Sequence, residues 1–352
     1  MRKIVFFIVF YFLFIASVHA APMEIVIDAD SGRVLYGKNI HQKDLIASTT
    51  KIMTALVVIR NANIDEKIKI GKEVNDAYGS AIYIKEKEII KVKDLLYGLL
   101  LRSGNDAALS LAAYTGGSVE GFVSMMNETA FGLGMKDTVF VNPHGLDEDG
   151  GNISSVYDMA ILMKEAMKYD IFRKITSTNK HIVKTNFNTY EWYNKNKLLT
   201  DYKYATGGKI GYTRRAKHTF VSSASKDNKN LIVVTFKDDN QFARHKELYE
   251  KIFKRYKQYK VIDKNNLDID YDPNYKVFSL EDKYILLSKK ERNLVKRVVT
   301  FYNHKCKKTC IIGKIEIKIG GNSITTSNIY ATKEENKKER FIDKLKDIRK
   351  KV

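Results

Sequence analysis

A hydroxyl and an amine three residues apart open the chemistry of this chain: Ser48 and Lys51, in the stretch Ile46-Ala47-Ser48-Thr49-Thr50-Lys51-Ile52-Met53, where an apolar run toward Ile59 begins. On a helix that spacing puts both side chains on one face. A serine hydroxyl is a poor nucleophile until a base takes its proton. An amine can take it once burial and a second cation press its pKa down from the usual ~10.4. The free N–H groups of a helix start would also face an oxyanion formed at Ser48. Serine and threonine serve as plain helix caps too, so the pair gains weight only from its company. Ser103-Gly104-Asn105 breaks a strongly apolar stretch, and its hydroxyl and amide, two residues apart, can face one cleft. Lys209, with Ile210 and Gly211, lies in a strand-like run over 204–213, where glycines let a second backbone come close, as when a peptide pairs with a sheet edge.

The elements that must position these groups follow from the patterning. Residues 24–36 read as a hairpin, two β-rich runs around Asp30-Ser31-Gly32, leading into the Ser48 helix. Short strands are expected at 67–70 and 81–90, then two helices meeting at the Ser103 corner, where Gly104 breaks the pattern. Residues 122–168 are mainly helical, interrupted by a loop over 141–147 that carries Pro143 and Gly145. After a strand-like stretch around Trp192, strands are expected at 219–223 and 231–236, and a helix over 242–259 with Leu248, Ile252 and Tyr256 on one face. Beyond Val261 short β-rich runs take over, with Gly320-Gly321 as a hairpin turn. The domain expectation is 1–20 as a signal, 21–260 as the unit with the chemistry, 261–332 as a small β-rich unit, and 333–352 as a charged tail.

A length of 352 residues suits about two domains, and 44% hydrophobic residues supply packed cores. Residues 1–20 have the form of a secretory signal: Arg2 and Lys3, an apolar run, then Val18-His19-Ala20 as a cleavage site. The uncharged run is short of the roughly 20 residues that span a bilayer, so an exported protein is expected. The formal charge of +20 suits an acidic partner, for an exported protein a cell wall or membrane surface; no nucleic-acid motif is apparent. In the tail, Phe341, Leu345, Ile348 and Val352 share one helical face, compatible with an amphipathic helix on an anionic membrane or with a solvated end. Cys306 and Cys310 are compatible with a small-loop disulfide or with two free thiols, and no metal site is expected there.

Taken together, Ser48-x-x-Lys51, Ser103-x-Asn105 and Lys209-x-Gly211 form the motif set shared by β-lactamases and penicillin-binding proteins. With Asp94-Leu95-Leu96-Tyr97-Gly98-Leu99-Leu100, residues 103–108, His144-Gly145-Leu146-Asp147 and residues 208–213, the chain over 24–236 resembles the low-molecular-mass penicillin-binding proteins that act as D-alanyl-D-alanine carboxypeptidases. The resemblance implies an α/β (α+β), β-lactamase/transpeptidase-like fold: an antiparallel sheet with flanking helices and a helical lobe, followed by a small all-β domain. It implies trimming of peptidoglycan stem peptides through an acyl-enzyme, covalent inhibition by β-lactams, and no metal or other cofactor. By position, Ser48 would be the nucleophile, Lys51 its base and Ser103 a proton relay to the leaving D-alanine. Asn105 would hold the substrate amide, and Lys209 would meet the terminal carboxylate. Gly211, Tyr212 and Thr213 would line the peptide, with the Ser48 and Tyr212 N–H groups as oxyanion hole. Ile210 departs from the family's Lys-Thr-Gly, removing a hydroxyl that helps to hold the carboxylate; Thr213, Arg214 or Arg215 is expected to compensate. A β-lactamase shares the three motifs, and a catalytically weak wall-binding member would also explain Ile210.

Overall fold

The computed structural model describes residues 22–147, 150–302 and 308–333. The expected signal, Cys306 and all of the charged tail but Lys333 lie outside them. At the centre stands a five-stranded antiparallel sheet in the order Val34–Lys38, Met23–Asp28, Lys229–Phe236, Lys217–Lys226, Ala205–Thr213. The amino-terminal hairpin is thus closed by strands from two hundred residues later, with Met23 opposite Phe236. Every residue of Met23–Asp28 is buried, because both faces are covered. Ile25, Ile27, Ile232 and Val234 face a helical lobe. Val26, Phe220 and Val233 face the Gln241–Arg255 helix.

Inside the lobe the Lys51–Asn61 helix is buried from Lys51 through Val58. Apolar all round, it forms the axis of the core. A turn of 3-10 helix, Ala47–Thr50, precedes it and holds Ser48. The corner at Ser103 also differs in detail from expectation. A π-helical turn over Gly98–Arg102 ends at Ser103, which itself takes the left-handed conformation (φ +65°), and the next helix, Asn105–Gly116, starts two residues on. Gly104 is needed for space: a Cβ there would lie 2.8 Å from an Asp106 carboxylate oxygen.

Three expected elements are corrected. Within 122–168 the α-helices cover only Val119–Gly132 and Val156–Ala166, and the break between them, expected over 141–147, already begins at Leu133 and includes the strand Ile153–Ser154. Of 81–90 only Ile89–Lys91 is a strand. Tyr83 and Lys87 adopt positive φ, and the amides of Ile82, Tyr83 and Ile84 turn to the Asp106 carboxylate. The helix expected over 242–259 ends at Arg255, and Tyr256–Ile262 is a strand paired with Lys283–Ser288. That pairing overrides the helical spacing, although Tyr256 still packs on the sheet-side cluster and donates its hydroxyl to the Leu35 carbonyl at 3.1 Å.

After this strand comes a four-stranded antiparallel sheet in the order Tyr275–Phe278, Asn322–Lys333, Thr309–Ile319, Val295–Phe301. It has its own apolar cluster, which includes Ile285, Ile315, Ile317 and Ile329. Cys310 in this sheet is disulfide-bonded. Arg33, at the turn of the amino-terminal hairpin, donates to the Leu286 carbonyl at 2.6 Å and pairs with Glu291, so the hairpin is tied to the Tyr256–Ile262 and Lys283–Ser288 strand pair. Among the described residues no helix is long and apolar enough to cross a membrane.

Candidate active site

The 3-10 turn leaves Ser48 partly open to solvent while Lys51, one turn on, is fully buried. The Lys51 Nζ lies 3.2 Å from Ser48 Oγ, 2.8 Å from Asn105 Oδ1 and 2.6 Å from the His144 carbonyl. Burial, foremost, and the Lys209 cation hold its pKa well below the ordinary lysine range; the Asp106 carboxylate opposes this and Lys195 adds to it. A neutral amine has two hydrogens and one lone pair. Two of the three neighbours, the Asn105 amide oxygen and the His144 carbonyl, can only accept, so they take the hydrogens and the lone pair is left for the Ser48 hydroxyl.

Lys209 is buried in the Ala205–Thr213 strand, and burial with the Lys195 cation pushes it down to about 7. Its amine donates to the Ile210 carbonyl at 2.6 Å. This strand is the edge of the sheet, so one rim of its backbone is open to a ligand. It runs directly against the Ser48 turn: a Cβ on Gly211 would stand 2.9 Å from the Ser48 nitrogen and 3.0 Å from that of Thr49. Only glycine permits that approach. Thr219 on the next strand donates to the Ile46 carbonyl at 2.9 Å, fastening the turn to the sheet.

Of the residues singled out in the sequence, Ser48, Lys51 and Asn105 are joined by hydrogen bonds, and Gly211 packs on the Ser48 turn. Ser103 is buried at the same corner, and its hydroxyl has no hydrogen-bond partner among the described residues. The Asn105 side chain is held at both ends within the protein, its oxygen by Lys51 and its nitrogen by the Tyr78 carbonyl at 2.5 Å. Tyr212 is 55% exposed, its ring 4.7 Å from that of His218. The Thr213 hydroxyl accepts from the Ala216 amide at 3.0 Å. Ile210 packs on the second apolar cluster, opposite Phe220, facing away from the side that carries Lys209 and Gly211.

Sequence reading missed the third partner of Lys51, the His144 carbonyl. The loop that carries it is pinned by Asn152, which donates to the Asn142 carbonyl and to Thr50 Oγ1, each at 2.9 Å, and by Thr54, which donates to the Pro143 carbonyl at 2.6 Å. Gly145 carries a φ of +86° and packs against the Ala47 carbonyl. Burial, then the Lys51 charge, drop the His144 imidazole to about 3, so it is neutral near neutrality. Among the described residues no cluster of His, Cys, Asp and Glu could hold a metal ion.

A serine beside a buried, depressed lysine on an edge-strand cleft belongs to the serine acyl-transfer enzymes built on the penicillin-binding fold. A family model described as D-alanyl-D-alanine carboxypeptidase matches residues 15–240. The D-alanyl-D-alanine carboxypeptidase DacF of Bacillus subtilis is 33% identical over 350 residues, covering 93% of this chain and 89% of its own. The crystal structure of penicillin binding protein 5 from Haemophilus influenzae superposes with a TM-score of 0.72 at 26% identity, over 89% of this chain and 96% of that one. A D-alanyl-D-alanine carboxypeptidase structure from Mycobacterium tuberculosis matches with a TM-score of 0.64 at 30% identity, over 66% and 90%. The chain belongs to the D-alanyl-D-alanine carboxypeptidase family and is a serine-type hydrolase.

Proposed function

We propose that this enzyme removes the terminal D-alanine from peptidoglycan stem peptides by way of an acyl-enzyme on Ser48. The observation that carries the reading is the Lys51 amine, buried, depressed and 3.2 Å from the Ser48 hydroxyl. The Ser48 proton passes to Lys51 as Oγ attacks the carbonyl of the penultimate D-alanine. The tetrahedral oxyanion is held by the Ser48 and Tyr212 N–H groups, each such donor worth roughly 10²–10³ in rate. Ser103 hands a proton from Lys51 to the departing D-alanine nitrogen, and the C–N bond breaks. Water then attacks the ester, Lys51 takes its proton, and Ser48 is regenerated.

Lys209 meets the terminal carboxylate. At about 7 it is only part-protonated near neutrality in the empty site; an arriving carboxylate favours the charged form and draws a proton onto it. Thr213 stands at Lys209 + 4 on the strand, on the same face, and its hydroxyl keeps its own proton to donate. It takes over the contact that Ile210 lacks. Asn105 holds Lys51 in place through its oxygen, and the second hydrogen of its side-chain nitrogen, not used by the Tyr78 carbonyl, is left for the substrate amide.

The sequence of residues 1–20 and kinship with cell-wall enzymes support export to the periplasm or the outer face of the cytoplasmic membrane, where trimming stem peptides would bear on wall synthesis and cell shape. The basic tail supports a contact with an anionic membrane surface. The test is to treat the mature protein with a labelled penicillin, locate the adduct by peptide mass, and assay D-alanine release from a pentapeptide. An adduct on Ser48, slow to be released, together with D-alanine release is expected. Rapid turnover of the penicillin would make the protein a β-lactamase; an adduct without D-alanine release would make it a weak, wall-binding member.

A further inference from the structure

We propose that Asp106 is a positioning residue of the reaction: its carboxylate folds segment 78–84 into a wall of the cleft and, through that segment, aims Asn105 and Lys51 at Ser48. The inference rests on the roles given above to Ser48 and Lys51. Asp106 is buried. One of its oxygens accepts from the amides of Ile82 at 3.0 Å and Ala107 at 2.9 Å, the other from those of Tyr83 at 2.7 Å and Ile84 at 3.3 Å. Three successive amides can converge on one carboxylate only if the backbone turns sharply between them. Tyr83 does so at a φ of +64°, a conformation that a bulky side chain holds only where its surroundings enforce it.

A second buried carboxylate fastens the far end of the segment. Glu88 accepts from the Lys85 amide at 2.9 Å and from the Thr185 hydroxyl at 2.5 Å, and the Tyr190 hydroxyl lies 3.0 Å from it and 3.3 Å from the Tyr83 carbonyl. From the near end an unbroken series of hydrogen bonds leads to the base. The Ser80 carbonyl accepts from the Asn105 amide at 2.7 Å, and the Tyr78 carbonyl from the Asn105 side-chain nitrogen at 2.5 Å. A carbonyl can only accept. The Tyr78 carbonyl therefore dictates which end of the Asn105 amide faces it, and leaves Oδ1 to hold Lys51 at 2.8 Å. There is little room for the series to slip, since a Cβ on Gly79 would stand 3.2 Å from the Asn105 nitrogen. With segment 78–84 released, Asn105 turns freely, and Lys51 loses one of the two acceptors that point its lone pair at Ser48.

The experiment measures Asp106→Asn against wild type with a penicillin that reports non-covalent binding and acylation separately, each rate expressed per Ser48 titrated, at a temperature where melting shows both proteins folded. The carboxamide offers an N–H₂ where backbone amides must be accepted. The acylation rate constant is expected to fall tenfold or more while the non-covalent binding constant moves less than threefold; a purely structural role would lower the melting temperature and leave the rate per titrated site alone. Wild-type rates in folded Asp106→Asn overturn the inference and leave the Ser48 reading standing, whereas a wild type that is not acylated takes down both. Should Asp106→Asn not fold, Tyr83→Pro breaks the same latch from the segment side, by removing the 2.7 Å donor and by excluding the φ of +64° that the turn needs. An unchanged acylation rate in that variant overturns the inference.

Discussion

Ile210 is the residue at which the motif set departs from the rest of its family pattern, and its side chain does not compete for the site. It packs on the apolar cluster beneath the Gln241–Arg255 helix, while Lys209, Gly211 and Thr213 share the opposite face of the strand by simple alternation. With Thr213 supplying the hydroxyl, Ile210→Thr is expected to change D-alanine release less than about threefold, at a stability cost on the order of 1 kcal/mol for the lost apolar packing. A gain of tenfold or more would show instead that the missing hydroxyl limits the enzyme. The three motif groups were legible because their side-chain types carry the chemistry. The partners that aim Lys51 were not: the His144 and Tyr78 contacts are main-chain carbonyls, which any residue supplies, so no residue type marks them.

Among the elements, the contact between the Ala205–Thr213 strand and the Ser48 turn decides whether the groups meet. Gly211 is the point of closest approach, with Thr219 Oγ1 and the Ser48 and Thr49 nitrogens all within 3.0 Å of where a Cβ would stand. Gly211→Ala must push strand and turn apart by a good fraction of an ångström. Misplacement on the order of 1 Å can cost about 10²-fold, so acylation by a penicillin is expected to fall about 100-fold, with the melting temperature lowered by a few degrees at most. Near wild-type acylation in this variant would mean that the strand is not part of the site. The hairpin at 24–36 and the strands closing on it were readable from apolar alternation and turn residues. The 81–90 stretch was misread because its amides pair with a side chain, Asp106, instead of a neighbouring strand. Tyr256–Ile262 was misread because its partner strand, Lys283–Ser288, lies far along the chain, and apolar spacing over 248–256 fits a helix equally well.

For the molecule as a whole, the fold's main contribution to the chemistry is exclusion of water from two lysines. Lys51 sits at the start of the helix that forms the axis of the lobe, and Lys209 in the edge strand of the central sheet; both are buried. Where the lobe closes on the sheet, desolvation disfavours both ammonium forms, the Lys209 cation presses further on Lys51, and Lys195 presses on both. The site therefore holds one neutral and, near neutrality, one part-protonated lysine, which under the proposed mechanism serve as base and carboxylate binder and which neither the sheet nor the lobe would create alone. The pH dependence of the second-order rate of Ser48 acylation tests this most directly, because it reports the titrating groups of the free enzyme. The rate must rise with pH as Lys51 loses its proton, and fall as Lys209, at about 7, loses the charge that attracts the carboxylate. A bell is predicted, with both limbs far below the ~10.4 of an ordinary lysine and the alkaline limb near 7. A rate that keeps climbing through pH 10 would contradict the account, since Lys51 would then be an ordinary ammonium and not the base for Ser48.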